Sequence, residues 1–209
     1  MKQVLALLAF AACACAWAAE PAVKPDLSKG QSIVTQICAA CHGLDGNSTG
    51  PANPKLAGQI PDYLQKQLTN YRAEQGKKAE RENPVMSGMA ASLSPEDMRS
   101  VAAYYGRQQP KPGAAKNKDT LALGQKIWRA GDAAKGLPAC AACHGATGAG
   151  VPVQYPRLAG QFVEYTEAQL KAFRSGERAN DANKVMRAVA VKMNDLDIRA
   201  VADYAAGMH

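Results

Sequence analysis

No stretch of this chain alternates apolar and polar residues with the period of two that a half-buried strand requires, which excludes a sheet and leaves an all-α reading. Long apolar runs are missing too. The one candidate, Val4 to Ala16, falls short of the roughly 20 residues that a membrane-crossing helix needs, which argues against a spanning segment. Cysteine is sparse: of six, Cys13 and Cys15 lie in the first twenty residues and the other four fall in two short motifs, leaving none for a disulfide. Histidine is scarcer still, with three, and two of these directly follow a cysteine pair. Aromatic residues make up 6% of the chain and do not interleave with a basic helix, so nucleic acid is a poor partner.

The start of the chain reads as an export signal. Lys2 gives a positive n-region, Val4 to Ala16 an apolar one, and Ala16-Trp17-Ala18 places small residues where a signal peptidase reads. Residues 1–18 are the expected signal, with a mature chain from Ala19 in the periplasm. An uncleaved anchor and lipidation at Cys13 or Cys15 are the alternatives, the latter opposed by Phe10-Ala11-Ala12, which makes a poor lipobox.

Cys38-Ala39-Ala40-Cys41-His42 recurs as Cys140-Ala141-Ala142-Cys143-His144. A lone CxxC also suits a redox dithiol or half of a zinc site. The adjoining histidine, the repetition and the export signal point instead to covalent haem c. Two thiols three positions apart reach the two vinyl groups on one porphyrin edge, and the histidine lies beneath the iron as its proximal ligand. Two motifs imply two haem c groups, each supplying much of the core of a lobe too small to stand well alone.

The repeat extends beyond the motifs. Asn53-Pro54-Lys55-Leu56-Ala57-Gly58-Gln59 aligns with Tyr155-Pro156-Arg157-Leu158-Ala159-Gly160-Gln161, and Tyr63, Gln67 and Leu68 align with Tyr165, Gln169 and Leu170. After a two-residue slip the match resumes, pairing Val85-Met86 with Val185-Met186, Asp97 with Asp197 and Tyr104 with Tyr204. This is a tandem duplication: residues 19–108 form one domain, 109–119 a proline- and glycine-bearing linker, and 120–209 the second domain.

Helices are expected throughout. Ser28 and Gln31 have the spacing of a capping box ahead of the first motif, and Ser94-Pro95-Glu96-Asp97 starts a helix with a cap, a first-turn proline and acids at the positive end of the dipole. Asn194 holds the matching cap position. Further helices are expected over Pro61 to Arg72 and Val163 to Arg174, stopping near Gly76 and Gly176. The second unit carries an insert, Arg129 to Ala139, ahead of its motif.

Elimination narrows the opposite axial ligands. With two histidines proximal, only His209 remains, so two imidazoles at both irons are impossible and methionine is the alternative. Met89, Met98 and Met193 align with Val189, Ile198 and Leu93, an exchange expected where a core needs only bulk. Met86 and Met186 alone keep sulfur in both units. Either they ligate iron or they too are core methionines.

CxxCH, then Pro-x-Leu-x-Gly-Gln, then a methionine before a terminal helix, all duplicated behind a signal, resembles the dihaem cytochrome c4 family over essentially the whole mature chain. The resemblance implies two cytochrome c-like lobes about a pseudo-twofold axis, each enclosing one covalent haem c, with His42/Met86 and His144/Met186 on the irons and Cys38, Cys41, Cys140 and Cys143 as attachment points. It implies that the carbonyls of Pro54 and Pro156 orient the proximal imidazoles and that Leu56 and Leu158 pack on the porphyrins; otherwise Pro-x-Leu merely ends a loop. It also suggests that Gly30 and Gly124 permit close crossings of the first and last helices, under Tyr104 and Tyr204.

The implied function is electron transfer rather than catalysis, as a soluble or loosely membrane-associated carrier between a membrane quinol–cytochrome c reductase and a terminal oxidase. The alternative is the cytochrome subunit of a periplasmic dehydrogenase such as a flavocytochrome. A dihaem peroxidase fits less well, because irons closed by histidine and methionine leave no open position. The formal charge of +7 is uneven: residues 19–110 hold ten Lys/Arg against nine Asp/Glu, and residues 111–209 fourteen against nine. The second half therefore either faces an acidic redox partner or is simply a solvated basic surface.

Overall fold

Side chains at the helix starts set the element boundaries. The computed structural model describes residues 24–73 and 76–208, so the expected signal, its cleavage before Ala19, and His209 lie outside the described residues. In the first lobe, α1 (Leu27–Ile33) passes through a wider π-helical turn (Val34–Cys38) into α2 (Ala39–His42), followed by α3 (Pro61–Asn70), α4 (Pro84–Ala91) and α5 (Pro95–Gly106). The second lobe repeats the order with α6 (Lys118–Ala130), α7 (Ala141–His144), α8 (Val163–Ser175), α9 (Val185–Ala190) and α10 (Asp195–Ala206). Among the described residues no strand forms; two isolated bridges, Asp132 with Leu137 and Val151 with Tyr155, close loops. No described helix is long and apolar enough to cross a membrane.

Caps at Ser94 and Asn194 form as expected, each as a reciprocal box with Asp97 or Asp197. The start of α1 differs from the Ser28/Gln31 expectation. Asp26 is the cap, accepting from the Ser28 and Lys29 amides and from the Ser28 hydroxyl, because a carboxylate two residues earlier outcompetes a hydroxyl for the free amides. Helix α3 ends at Asn70 with Tyr71 as its cap, short of Arg72, whereas α8 runs to Ser175 and stops on left-handed Gly176.

Each lobe is organised by its first and last helices. In the first lobe Val34, Leu64, Val101, Ala102 and Tyr105 form one buried cluster, and Tyr71, Ala90, Leu93 and Met98 another. The second lobe buries Ile127, Trp128, Leu137, Met193, Ile198, Val201 and Ala205. A Cβ on Gly30 would stand 2.7 Å from the Ser100 carbonyl carbon, and one on Gly124 2.8 Å from that of Ala200. Only a residue without Cβ lets these backbones approach so closely. Tyr104 and Tyr204 sit beside those crossings.

The connecting stretch has no regular secondary structure as far as Asn117, and Lys118 and Asp119 already belong to α6. It is stitched to both lobes. Asn47 donates to the Gln109 carbonyl and accepts from the Lys111 amide, while buried Asp203 accepts from the Lys116 and Asn117 amides. The insert at 129–139 folds onto its own lobe: Leu137 enters the core and the Lys135 ammonium reaches Asp197 at 2.6 Å.

Candidate haem sites and the lobe interface

The cysteine motifs occupy the same place in each lobe, one turn of helix whose last residue is the histidine. Gly43 and Gly145, with φ of 77° and 81°, end those turns and send the chain away. His42 and His144 are buried, at 7% and 6% exposure, and Nδ1 of each lies 2.9 and 3.0 Å from the carbonyl oxygens of Pro54 and Pro156. A carbonyl oxygen only accepts, so Nδ1 carries the proton and donates, leaving the Nε2 lone pair free. Burial holds both imidazoles below the usual histidine range, against the opposing pull of the carbonyl hydrogen bond.

Those carbonyls are themselves fixed. Leu56 and Ala57 donate their amides to the Gly46 carbonyl, and Leu158 and Ala159 donate theirs to that of Gly148. Gly58 and Gly160 are tied in turn to Tyr105 and Ala205 on the last helices. Leu56 and Leu158 are half-buried against the cores of their lobes. No disulfide joins the four motif cysteines, and burial pushes the thiols of Cys38 and Cys140 up to about 11.

A haem iron fits this donor set. His144 Nε2 is fully buried without a hydrogen-bond partner, a cost that a metal bond at that nitrogen removes. The methionines sort by burial. Met98 and Met193 are core residues, Met89 is 45% exposed, and Met86 and Met186 are half-buried on α4 and α9. Met86 also touches the Tyr71 cluster.

One aromatic pair was not foreseen from the sequence. In the first lobe the bulky residue at the helix crossing is Tyr105 on the last helix, opposite Val34. In the second it is Trp128 on the first helix, with Ala205 on the last. Volume is thereby conserved across each crossing. Tyr105 donates to the Gly43 carbonyl and Trp128 to that of Ala146, so both pin the loop behind the histidine.

The lobes meet through a polar interface with its own twofold pattern. Gln59 exchanges two hydrogen bonds with the backbone of Arg157, at 2.8 and 2.9 Å, and Gln161 does the same with Lys55, both at 3.0 Å. Arg81 reaches across to Tyr165 and Gln169 while holding Gln67; Arg178 reaches across to Tyr63 and Gln67 while holding Gln169. Each guanidinium stacks on an aromatic ring of its own lobe, Arg81 over Tyr71 at 4.8 Å and Arg178 over Phe173 at 4.5 Å. Tyr63, Gln67, Tyr165 and Gln169 belong to the repeat, and polar residues kept in register were the available signal. The arginines fall outside the register, so the sequence alignment passed over them.

Comparison with known proteins follows the same two-part division. The family model for cytochrome c matches residues 27–105 and again 121–208. Cytochrome c4 of Azotobacter vinelandii is 41% identical over 190 residues, covering 88% of this chain and 90% of that protein. The crystal structure of reduced recombinant cytochrome c4 from Pseudomonas stutzeri superposes with a TM-score of 0.83 at 39% identity, covering 89% of this chain and all of that one. The thiosulfate dehydrogenase electron acceptor of Stutzerimonas stutzeri is 38% identical, with 86% of each chain covered.

Proposed function

Since this chain belongs to the cytochrome c4 family, and as a cytochrome c is an electron carrier with covalent haem c, we propose that it works in the periplasm as a two-haem shuttle delivering electrons to a terminal oxidase. The observation that carries this reading is the pair of buried, neutral imidazoles, each oriented by a proline carbonyl and, at His144, aimed at no protein partner. His42 and Met86 hold the first iron and His144 and Met186 the second, with Cys38, Cys41, Cys140 and Cys143 forming the thioethers. Bound haem supplies a reversible one-electron couple. The chain supplies closed coordination, a fixed imidazole and apolar walls at Leu56 and Leu158, which disfavour ligand chemistry at the iron and leave electron transfer.

Residues 1–18 would direct export and then be cleaved off, and donors would include a membrane quinol–cytochrome c reductase. Loose association with the membrane surface is compatible with the basic second half.

A second reading is favoured by the similarity to the thiosulfate dehydrogenase electron acceptor: a periplasmic dehydrogenase feeds this chain directly. Adding the reduced holoprotein to membranes of its source organism distinguishes the two. Rapid oxidase-inhibitor-sensitive oxidation is the expected result. Stoichiometric copurification with a catalytic chain, without oxidation by membranes, would establish the second reading instead.

A further inference from the structure

The two methionine helices start in different ways. In the first lobe Asn83 is extended, its side-chain oxygen accepts from the Met86 amide at 3.0 Å, and Pro84 occupies the first turn, so the helix is fully capped before the methionine. In the second lobe Asn183 and Lys184 both adopt left-handed backbone, with φ of 54° and 58°. Helix α9 then begins one residue before Met186 and receives no side-chain hydrogen bond from its cap residue, Lys184. Two consecutive non-glycine residues in this region persist only where neighbouring structure imposes them.

Asp181 anchors this turn to α9. Its carboxylate, 5% exposed, accepts from the Arg187 guanidinium at 2.7 Å and from the Arg187 backbone amide at 3.0 Å, and its carbonyl accepts from the Lys184 amide. Arg187 also donates to the Ala179 carbonyl. The Asp181 carboxylate thus satisfies the third amide of α9 from outside the helix and spans Met186 with a single clamp. Asp181 aligns with Arg81, Lys184 with Pro84 and Arg187 with Ser87, so the first lobe has no such device.

We propose that Asp181 and Arg187 are positioning residues that hold Met186 at its iron against the strain at Asn183 and Lys184, so that the second lobe's methionine is the one an exogenous ligand displaces first. This rests on the ligation proposed above. Strain in the segment that carries the methionine is relieved when that segment moves, which lowers the barrier to losing the bond. Relieving the strain slows displacement, and cutting the clamp accelerates it.

The test uses oxidised holoprotein and imidazole, following the weak near-infrared band of methionine bonded to ferric iron. Met86→Ala isolates the second lobe's band and Met186→Ala the first's. Imidazole should remove the second lobe's band faster by roughly tenfold, a factor within the strain expected of left-handed residues. In the Met86→Ala background, Asn183→Gly with Lys184→Gly should slow displacement and Arg187→Met should speed it. A far-UV spectrum unchanged by Arg187→Met, and a first-lobe band unchanged by Arg187→Met in the Met186→Ala background, would show that the fold is intact. Equal rates for the two lobes, or rates indifferent to both sets of changes, would overturn the proposal. A near-infrared band left whole by Met186→Ala would instead overturn the ligation beneath it.

Discussion

Replacing Gly124 by alanine tests whether close approach of the first and last helices holds a lobe together. A Cβ there would collide with the Ala200 carbonyl oxygen and stand 2.8 Å from both the Ala200 carbonyl carbon and Tyr204 Cβ. None of these is the free end of a flexible side chain. Helix α10 must therefore move away from α6, loosening the contact that buries Ile127, Trp128, Ile198, Val201 and Ala205. Overpacking of this kind costs about 3 kcal/mol at the upper end. The better helix propensity of alanine returns about 1 kcal/mol. The balance, about 2 kcal/mol, corresponds to a fall in Tm of roughly 8–16 °C for a lobe of this size. Thermal unfolding of the holoprotein, followed by far-UV circular dichroism and haem absorption, should show the second lobe melting ahead of the first. Gly30→Ala should reverse the order, because its Cβ meets the Ser100 carbonyl in the first lobe. An unchanged or raised midpoint for Gly124→Ala would refute the reasoning, since it would mean that the crossing has room to yield.

Three other outcomes are expected. Trypsin should cut the stretch between Gln109 and Lys118 slowly in the parent protein and readily after Asn47→Ala with Asp203→Ala, which remove four hydrogen bonds to that segment; equal cleavage would show that the stitching has no effect. Gln59→Ala with Gln161→Ala removes the four reciprocal bonds between lobes and should enlarge the scattering radius of gyration without unfolding either lobe, whereas an unchanged scattering profile would show that the remaining contacts between lobes hold them without the glutamines. Asp97, held to about 2 by Lys29 and its cap hydrogen bonds, and Asp45, held to about 2 by the Asn47 amide and Lys111, have depressed folded-state pKa values. Their contribution is present above the unfolded carboxylate range and is lost as pH falls from about 4 toward 2; Asp97→Asn should flatten that part of the acid-unfolding curve, and a curve of unchanged steepness would count against it.

The sequence by itself determined whatever depends on residues close along the chain. The two cysteine motifs and the caps at Ser94 and Asn194 act within a turn, so their spacing already specifies their geometry, whereas the role of Pro54 and Pro156 came from the family resemblance. Tandem duplication added a second kind of information, since a position kept in both copies, as at Met86 and Met186, can be singled out before any contact is seen. Local competition defeated the reading at α1, where Asp26 displaced Ser28 as the cap.

Only the tertiary structure decided the partners that lie far apart in sequence. Arg81 and Arg178 become a matched pair only when the lobes face each other, and Lys135 is drawn to Asp197 because the insert turns back on its own lobe. The exchange of Tyr105 and Val34 for Ala205 and Trp128 is invisible position by position, because packing constrains the summed volume at a crossing and leaves open which helix supplies it. Asp181 likewise reaches α9 only through a backbone conformation that its surroundings impose. Hydrogen bonds and packing act through distance in space, and chain separation predicts that distance only over a few residues.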